Sequence, residues 1–163
     1  MSWFDRRALL ALPLAAAVAA CGFQPVYAPG GTGGQLHGKI RVDAPEGVNT
    51  YLLVRRLEEQ LGRAQAPDYR LSIVLATGLQ GQAITASGDI TFYSVLGSAE
   101  YTLRRLADEQ VVATGTVDNF TGYSATGSTA ETLAAQRDAR ERLMVILADQ
   151  IARELYVTAD LTE

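Results

Sequence analysis

The chain has 163 residues, one cysteine, one histidine, one lysine and a formal charge of −4 from 14 basic and 18 acidic side chains. That length suits one domain with one core. Net acidity argues against a nucleic-acid binder, which needs a basic face, and a lone cysteine excludes an intramolecular disulfide.

Met1 to Arg7 is a short head carrying Arg6 and Arg7, and Ala8 to Ala20 then runs without a charge. A basic head, a short apolar run and a small-residue end predict a secretory signal peptide over residues 1–20. The run is too short to span a bilayer, which takes about 20 apolar residues. Val18-Ala19-Ala20-Cys21 resembles a bacterial lipobox. That resemblance implies a diacylglycerol on Cys21, cleavage before it and acylation of the new amine. The alternative is an ordinary signal peptide before an unmodified Cys21, which leaves an exposed thiol in an oxidising compartment. Each buried acyl methylene contributes about 0.8 kcal/mol of membrane binding. Gly22, in place of an aspartate after the cysteine, resembles the sorting signal for the outer membrane. Removing residues 1–20 takes away Asp5, Arg6 and Arg7 and brings the formal charge to −5.

Residues 21–36 read as a lipidated tether, extended by Pro25 and Pro29 and made flexible by the glycines of Gly30-Gly31-Thr32-Gly33-Gly34. A single domain is expected over 37–163. Lys39 to Asp43 alternates and predicts a first strand, stopped by Pro45 and Gly47. Asn49 or Thr50 is the expected cap of a helix in which Leu53, Leu57 and Leu61 recur every four residues beside Val54. Arg55 and Glu59 pair on its outside, and Gly62 ends it.

Tyr69, Leu71, Ile73 and Leu75 predict one face of a second strand. Thr77 to Asp89 reads as a hairpin loop or as frayed strand ends. A long third strand puts Tyr93, Val95, Ala99, Tyr101 and Leu103 on one face and Ser94, Ser98, Glu100, Thr102 and Arg104 on the other. After a turn at Ala107 to Gln110, Val111 to Phe120 forms the fourth strand, with Val111, Ala113, Gly115 and Val117 on one face. Gly122 to Ser128 is expected as a loop. Ser128 or Thr129 caps a last helix with an apolar stripe of Leu143, Ile146, Leu147, Ile151 and Leu155. Arg137–Glu141, Asp138–Arg142 and Asp149–Arg153 stand at i, i+4 on its polar flank. The order β-α-β-β-β-α with alternating strands predicts an α+β two-layer sandwich, two helices on one face of a four-stranded mixed sheet. The helical crossover suggests that the first two strands are parallel.

No catalytic constellation stands out, and neither a metal nor a cofactor is expected. His37 sits among glycines without a Cys, His or carboxylate set around it. Gly-x-Ser-x-Gly is absent, and Gly97-Ser98-Ala99 lies in a strand with no helix behind it. Lys39 is the only lysine, and no phosphate-cradling glycine loop contains it. An enzyme is therefore not expected.

Three stretches, Cys21-Gly22-Phe23-Gln24-Pro25-Val26-Tyr27, Gly97-Ser98-Ala99-Glu100-Tyr101-Thr102-Leu103 and the helix from Arg137-Asp138-Ala139 to Ile151, resemble one family in this order. It is the LptE family of lipopolysaccharide-assembly lipoproteins, in a form similar to alphaproteobacterial members. The resemblance implies a lipid-anchored protein on the periplasmic face of the outer membrane. Its implied partner is the β-barrel LptD, whose lumen it plugs and whose assembly it assists. Lipopolysaccharide is a further implied ligand, held through basic residues near the tip of the central hairpin. Thr77 to Ala99 contains no Lys or Arg, so direct lipid binding stays open. The competing reading is a periplasmic lipoprotein accessory to an ABC-type lipid transporter, acting as carrier or adaptor, which needs an apolar groove between sheet and helix. Phe92 and Leu96 have the parity opposite to Tyr93 and Val95. They are expected to face away from the helices and to meet the barrel.

Overall fold

The structure is a computed structural model that describes residues 31–84, 88 and 90–161. Cys21, the signal segment and the first part of the tether lie outside the described residues. The element order is α1 (Thr32–Leu36), β1 (Ile40–Val42), α2 (Val48–Leu61), β2 (Tyr69–Ile84), β3 (Ile90–Arg105), β4 (Val111–Ser124) and α3 (Thr129–Thr158). The sheet runs β1-β2-β3-β4 in chain order. β1 pairs parallel with β2, and the two hairpins that follow are antiparallel. This is the expected α+β sandwich, with α3 packed on β3 and β4 and with α2 against β1 and α3.

Leu53, Leu57 and Leu61 of α2, Leu71, Ala99 and Leu103 of the sheet, and Leu143, Leu147, Ile151 and Leu155 of α3 are fully buried between the layers. Each of these leucine and isoleucine side chains stabilises the fold by roughly 1.5–3 kcal/mol relative to exposure. Ser128 caps α3 in a capping box, its hydroxyl accepting from the Glu131 amide while the Glu131 carboxylate accepts from the Ser128 amide at 2.7 Å. Those hydrogen bonds, the backbone one first, hold the Glu131 carboxyl below the usual carboxylate range.

Several local expectations are corrected. The cap of α2 is Gly47, and Asn49 and Thr50 lie inside its first turn. Residues 32–36 form a short helix in place of a flexible tether, and Leu36 is fully buried. Its packing has a backbone counterpart: the Gly38 amide donates to the Leu61 carbonyl at 2.7 Å, satisfying an end group of α2. Gly62, at φ +76, ends α2 as expected, and a Cβ there meets the Gly38 nitrogen and the His37 ring at 3.0 Å. His37 is thus the C-cap of α1 and packs over Gly62.

The strands are longer than their sequence limits, because β2 and β3 pair from Tyr69↔Arg105 to Ile84↔Ile90 and β4 continues to Ser124. Thr77–Ile84 is therefore strand, the second of the two readings of that stretch, and Gly122 to Ser124 is not loop. Val111 does not face the core. A register shift opposite Leu103 and Arg104 turns Val111 out and buries Val112 and Ala113 together, as a β-bulge does. On α3, Asp138 and Arg142 pair as expected. Glu141 instead reaches Arg55 of α2 at 3.2 Å, and Asp149 accepts from Arg56 at 2.9 Å and from Gln60 at 2.7 Å. A neighbouring helix offered cations nearer than the i, i+4 partners.

Candidate functional site

The helix side of the sheet is filled, so the site is built on the other side. Side chains alternate across a strand. With Val95, Ala99, Tyr101 and Leu103 turned inward, Phe92, Ser94, Leu96, Ser98 and Glu100 of β3 face out. The register sets Gly78, Leu96 and Phe120 in one cross-strand row and Ala76, Ser98 and Asp118 in the next. The small residues at 76, 78 and 98 leave an open groove of about 460 Å³ along which Leu96 and Phe120 form the apolar walls. Phe120 is 64% exposed and Leu96 39%, a contiguous apolar surface without a covering element in the described chain.

Phe92, 40% exposed, lies outside this groove. Its ring spreads over Gly122 of β4, where a Cβ would come within 2.4 Å of the ring. Ser94, in the same face between Phe92 and Leu96, is the one buried polar residue among those described. The structure thus places both sequence-predicted residues on the outer face, brings Leu96 together with Phe120, and seats Phe92 nearer the hairpin end. Phe120 was missed, although its parity opposite Val117 carried the signal.

Contacts on the inner side tie the strands to one another and to α3. Tyr93 and Tyr123 stack with ring centres 5.5 Å apart and planes 14° apart. Gly97 lets α3 approach so closely that a Cβ there would stand 3.0 Å from both Leu143 and Leu147. The Thr121 hydroxyl donates to the Ala139 carbonyl at 2.7 Å, and Arg142 donates to the Gly122 carbonyl. Tyr101 lies over Gly115 and donates to Glu154 at 2.7 Å. Burial first, then the hydrogen bond to Glu154 and its charge, push the Tyr101 hydroxyl up to about 12.

Charge is segregated. Arg70 and Arg104 share the end of the outer face remote from the groove, where Arg70 donates to Asp43 at 2.7 Å. Partial burial works against ionisation of Asp43, but hydrogen bonds from Arg70 and Ser72 outweigh it and hold the carboxyl below its usual range. Around the groove the charged neighbour is Asp118, and no Lys or Arg lines it. Among the described residues no three His, Cys, Asp or Glu side chains converge as metal ligands, and no helix is long and apolar enough to cross a membrane.

The LptE family model, lipopolysaccharide-assembly, matches residues 38–155. Among solved structures, a lipoprotein from Caulobacter crescentus CB15 aligns at TM-score 0.64 and 21% identity over 77% of this chain and 93% of its own. Lipoprotein B from Nitrosomonas europaea aligns at 0.56 and 13%, covering 73% and 82%. Rare lipoprotein B from Shewanella oneidensis aligns at 0.54 and 16%, covering 74% and 93%. At these identities the likeness is one of fold. No curated protein matches the sequence significantly.

Proposed function

The chain belongs to the lipopolysaccharide-assembly LptE family, and on that premise we propose that it is a non-enzymatic, Cys21-lipidated outer-membrane lipoprotein that plugs the LptD β-barrel and helps assemble it. The observation that carries this reading is the groove on the outer sheet face, walled by Leu96 and Phe120, lined by no Lys or Arg and carried on three long paired strands. Wide barrels have polar interiors into which loops and plugs fit. A plug there needs a polar surface with a few apolar anchors, which the Ser98 and Asp118 row beside Leu96 and Phe120 supplies. The absence of Lys and Arg along the groove favours contact with protein over contact with phosphorylated lipid. The carrier reading needs its groove between sheet and helices, and that space is occupied by fully buried leucines.

The test is co-purification of the barrel from detergent-solubilised outer membrane. Leu96→Ser with Phe120→Ser removes both anchors. It is expected to lower barrel recovery about tenfold, the loss of one to two kcal/mol of interface contact. The isolated chain's melting temperature should stay within a few degrees, because both side chains are exposed. Phe92→Ser should cost the domain slightly more, since its ring covers Gly122. Undiminished recovery with the double variant removes this face from the interface.

A further inference from the structure

We propose that the open edge of β2, from Ile73 to Leu79, takes up an extended, uncharged segment of the barrel partner as an added strand in the row that β1 vacates. This rests on the reading above that the partner is a barrel. β1 covers only Tyr69 to Leu71 of β2, whereas β3 pairs with β2 along its whole length. β1 stops because the Asp43 carboxylate turns onto Arg70 and Ser72, each at 2.7 Å, and because Pro45 lacks an amide hydrogen. A hollow of about 380 Å³ remains beside Ser72 to Leu75, bordered by Asp43, Glu46 and Thr50.

The backbone direction along this edge follows from its last native bonds. The Tyr69 amide donates to the Lys39 carbonyl, and the Leu71 carbonyl accepts from the Asp43 amide. In an antiparallel strand a residue's N–H and C=O point to the same side. Ile73, Leu75, Thr77 and Leu79 therefore present their amides and carbonyls to the side away from β3, where no strand of the described chain lies.

The other edge of the sheet is treated differently. On β4 the Asp160 amide covers the Val112 carbonyl, the Asn119 side chain accepts from the outward Phe120 amide at 2.8 Å, and Asp118 adds a charge. Soluble sheets blunt their edges with such devices, and with lysine, proline or bulges. From Ser72 to Gln80 β2 has no charge and no proline. An edge kept this plain is built for pairing.

The chemistry of the occupant follows from the side chains beside it. Ile73 and Leu75 are half-buried, Leu79 is 48% exposed on the helix side and Val74 is 68% exposed on the other. A strand with apolar residues at alternate positions covers these, and one with charges does not. Wall strands of a closed barrel are paired on both sides and have no free edge. The segment is thus a lumen-facing loop or terminus of the barrel. A second copy of this chain, joined edge to edge, is the competing occupant.

Residue-resolved amide hydrogen exchange separates them, on the mature chain alone at two concentrations and in its co-purified complex. The amides of Ile73, Leu75, Thr77 and Leu79 are expected to exchange freely in the chain alone. In the complex they should exchange at least a hundredfold more slowly. If they stay unprotected while the barrel is bound, the edge proposal is overturned and the plug reading survives. Protection that appears in the chain alone and rises with concentration assigns the edge to a second copy and also overturns it. If no barrel co-purifies with the unsubstituted chain, both readings fall together. As a companion, Thr77→Pro removes an outward amide without breaking the bond ladder to β3. It should cut barrel recovery about tenfold relative to Thr77→Val, and equal recovery of the two counts against the proposal.

Discussion

At Gly97 the sheet and α3 approach closely, and adding one methyl there tests the packing directly. A Cβ on Gly97 stands 3.0 Å from Leu143 Cδ2 and from Leu147 Cδ1, and 3.3 Å from Leu143 Cγ. Both leucines are fully buried, so neither can swing into solvent. Overpacking a filled core typically costs about 1–3 kcal/mol. Replacing a strand glycine returns roughly 0.5–1 kcal/mol through the unfolded chain. Gly97→Ala is therefore expected to destabilise by a net of about 1–2 kcal/mol. For a domain of this size that lowers the melting temperature by roughly 3–8 °C. Thermal unfolding of the mature chain, followed by circular dichroism, reads it. Adding Leu143→Val should return part of the loss as a favourable coupling energy, because it withdraws one clashing methyl. Gly122→Ala is the contrast, since the Phe92 ring it strikes is 40% exposed and free to rotate away. If Gly97→Ala melts at or above the parent temperature, the helix does not sit where these distances put it.

Leu147→Asp places a charge in the filled interior and should cost several kcal/mol, whereas Asp138→Ala, on an exposed pair with Arg142, should cost under about 1 kcal/mol; equal melting shifts refute the assigned faces. Asp149→Asn should weaken the α2–α3 contact by about 1–2 kcal/mol and Arg153→Ala by little, in urea titrations; the reverse order restores the i, i+4 pairing. The Tyr101 hydroxyl has its folded-state pKa raised from 10 to about 12, so its contribution is complete below about pH 10 and is lost as pH rises through about 12. Tyr101→Phe should therefore show less of the alkaline loss between those values than the parent, measured as the stability difference at pH 9 and pH 12. Cys21→Ser should move the chain, expressed apart from any barrel, from the membrane to the soluble fraction, while the melting temperature of the domain stays unchanged; continued membrane fractionation refutes lipidation as the anchor.

Much of the architecture was legible along the chain because it follows from local rules. Strand alternation assigned Val95, Ala99, Tyr101 and Leu103 to the core, four-residue leucine spacing marked the buried face of α2, and Ser128 or Thr129 marked the start of α3, of which Ser128 is the cap. The same parity pointed Phe92 and Leu96 outward. Other features were settled only by what lies opposite in space. The choice of Arg56 over Arg153 by Asp149 depends on a helix far away in sequence, since opposite charges pair with the nearest geometry available. The bulge that exchanges Val111 for Val112 arises from the register against β3. The ordering of Thr32–Leu36 required a pocket for Leu36 and an orphan carbonyl at Leu61. The groove beside Leu96 exists because Gly78 and Phe120 share its row, and the open edge of β2 because β1 is three residues long. Periodicity tells a residue which side of its own element it occupies, and only the packed chain decides what stands across from it.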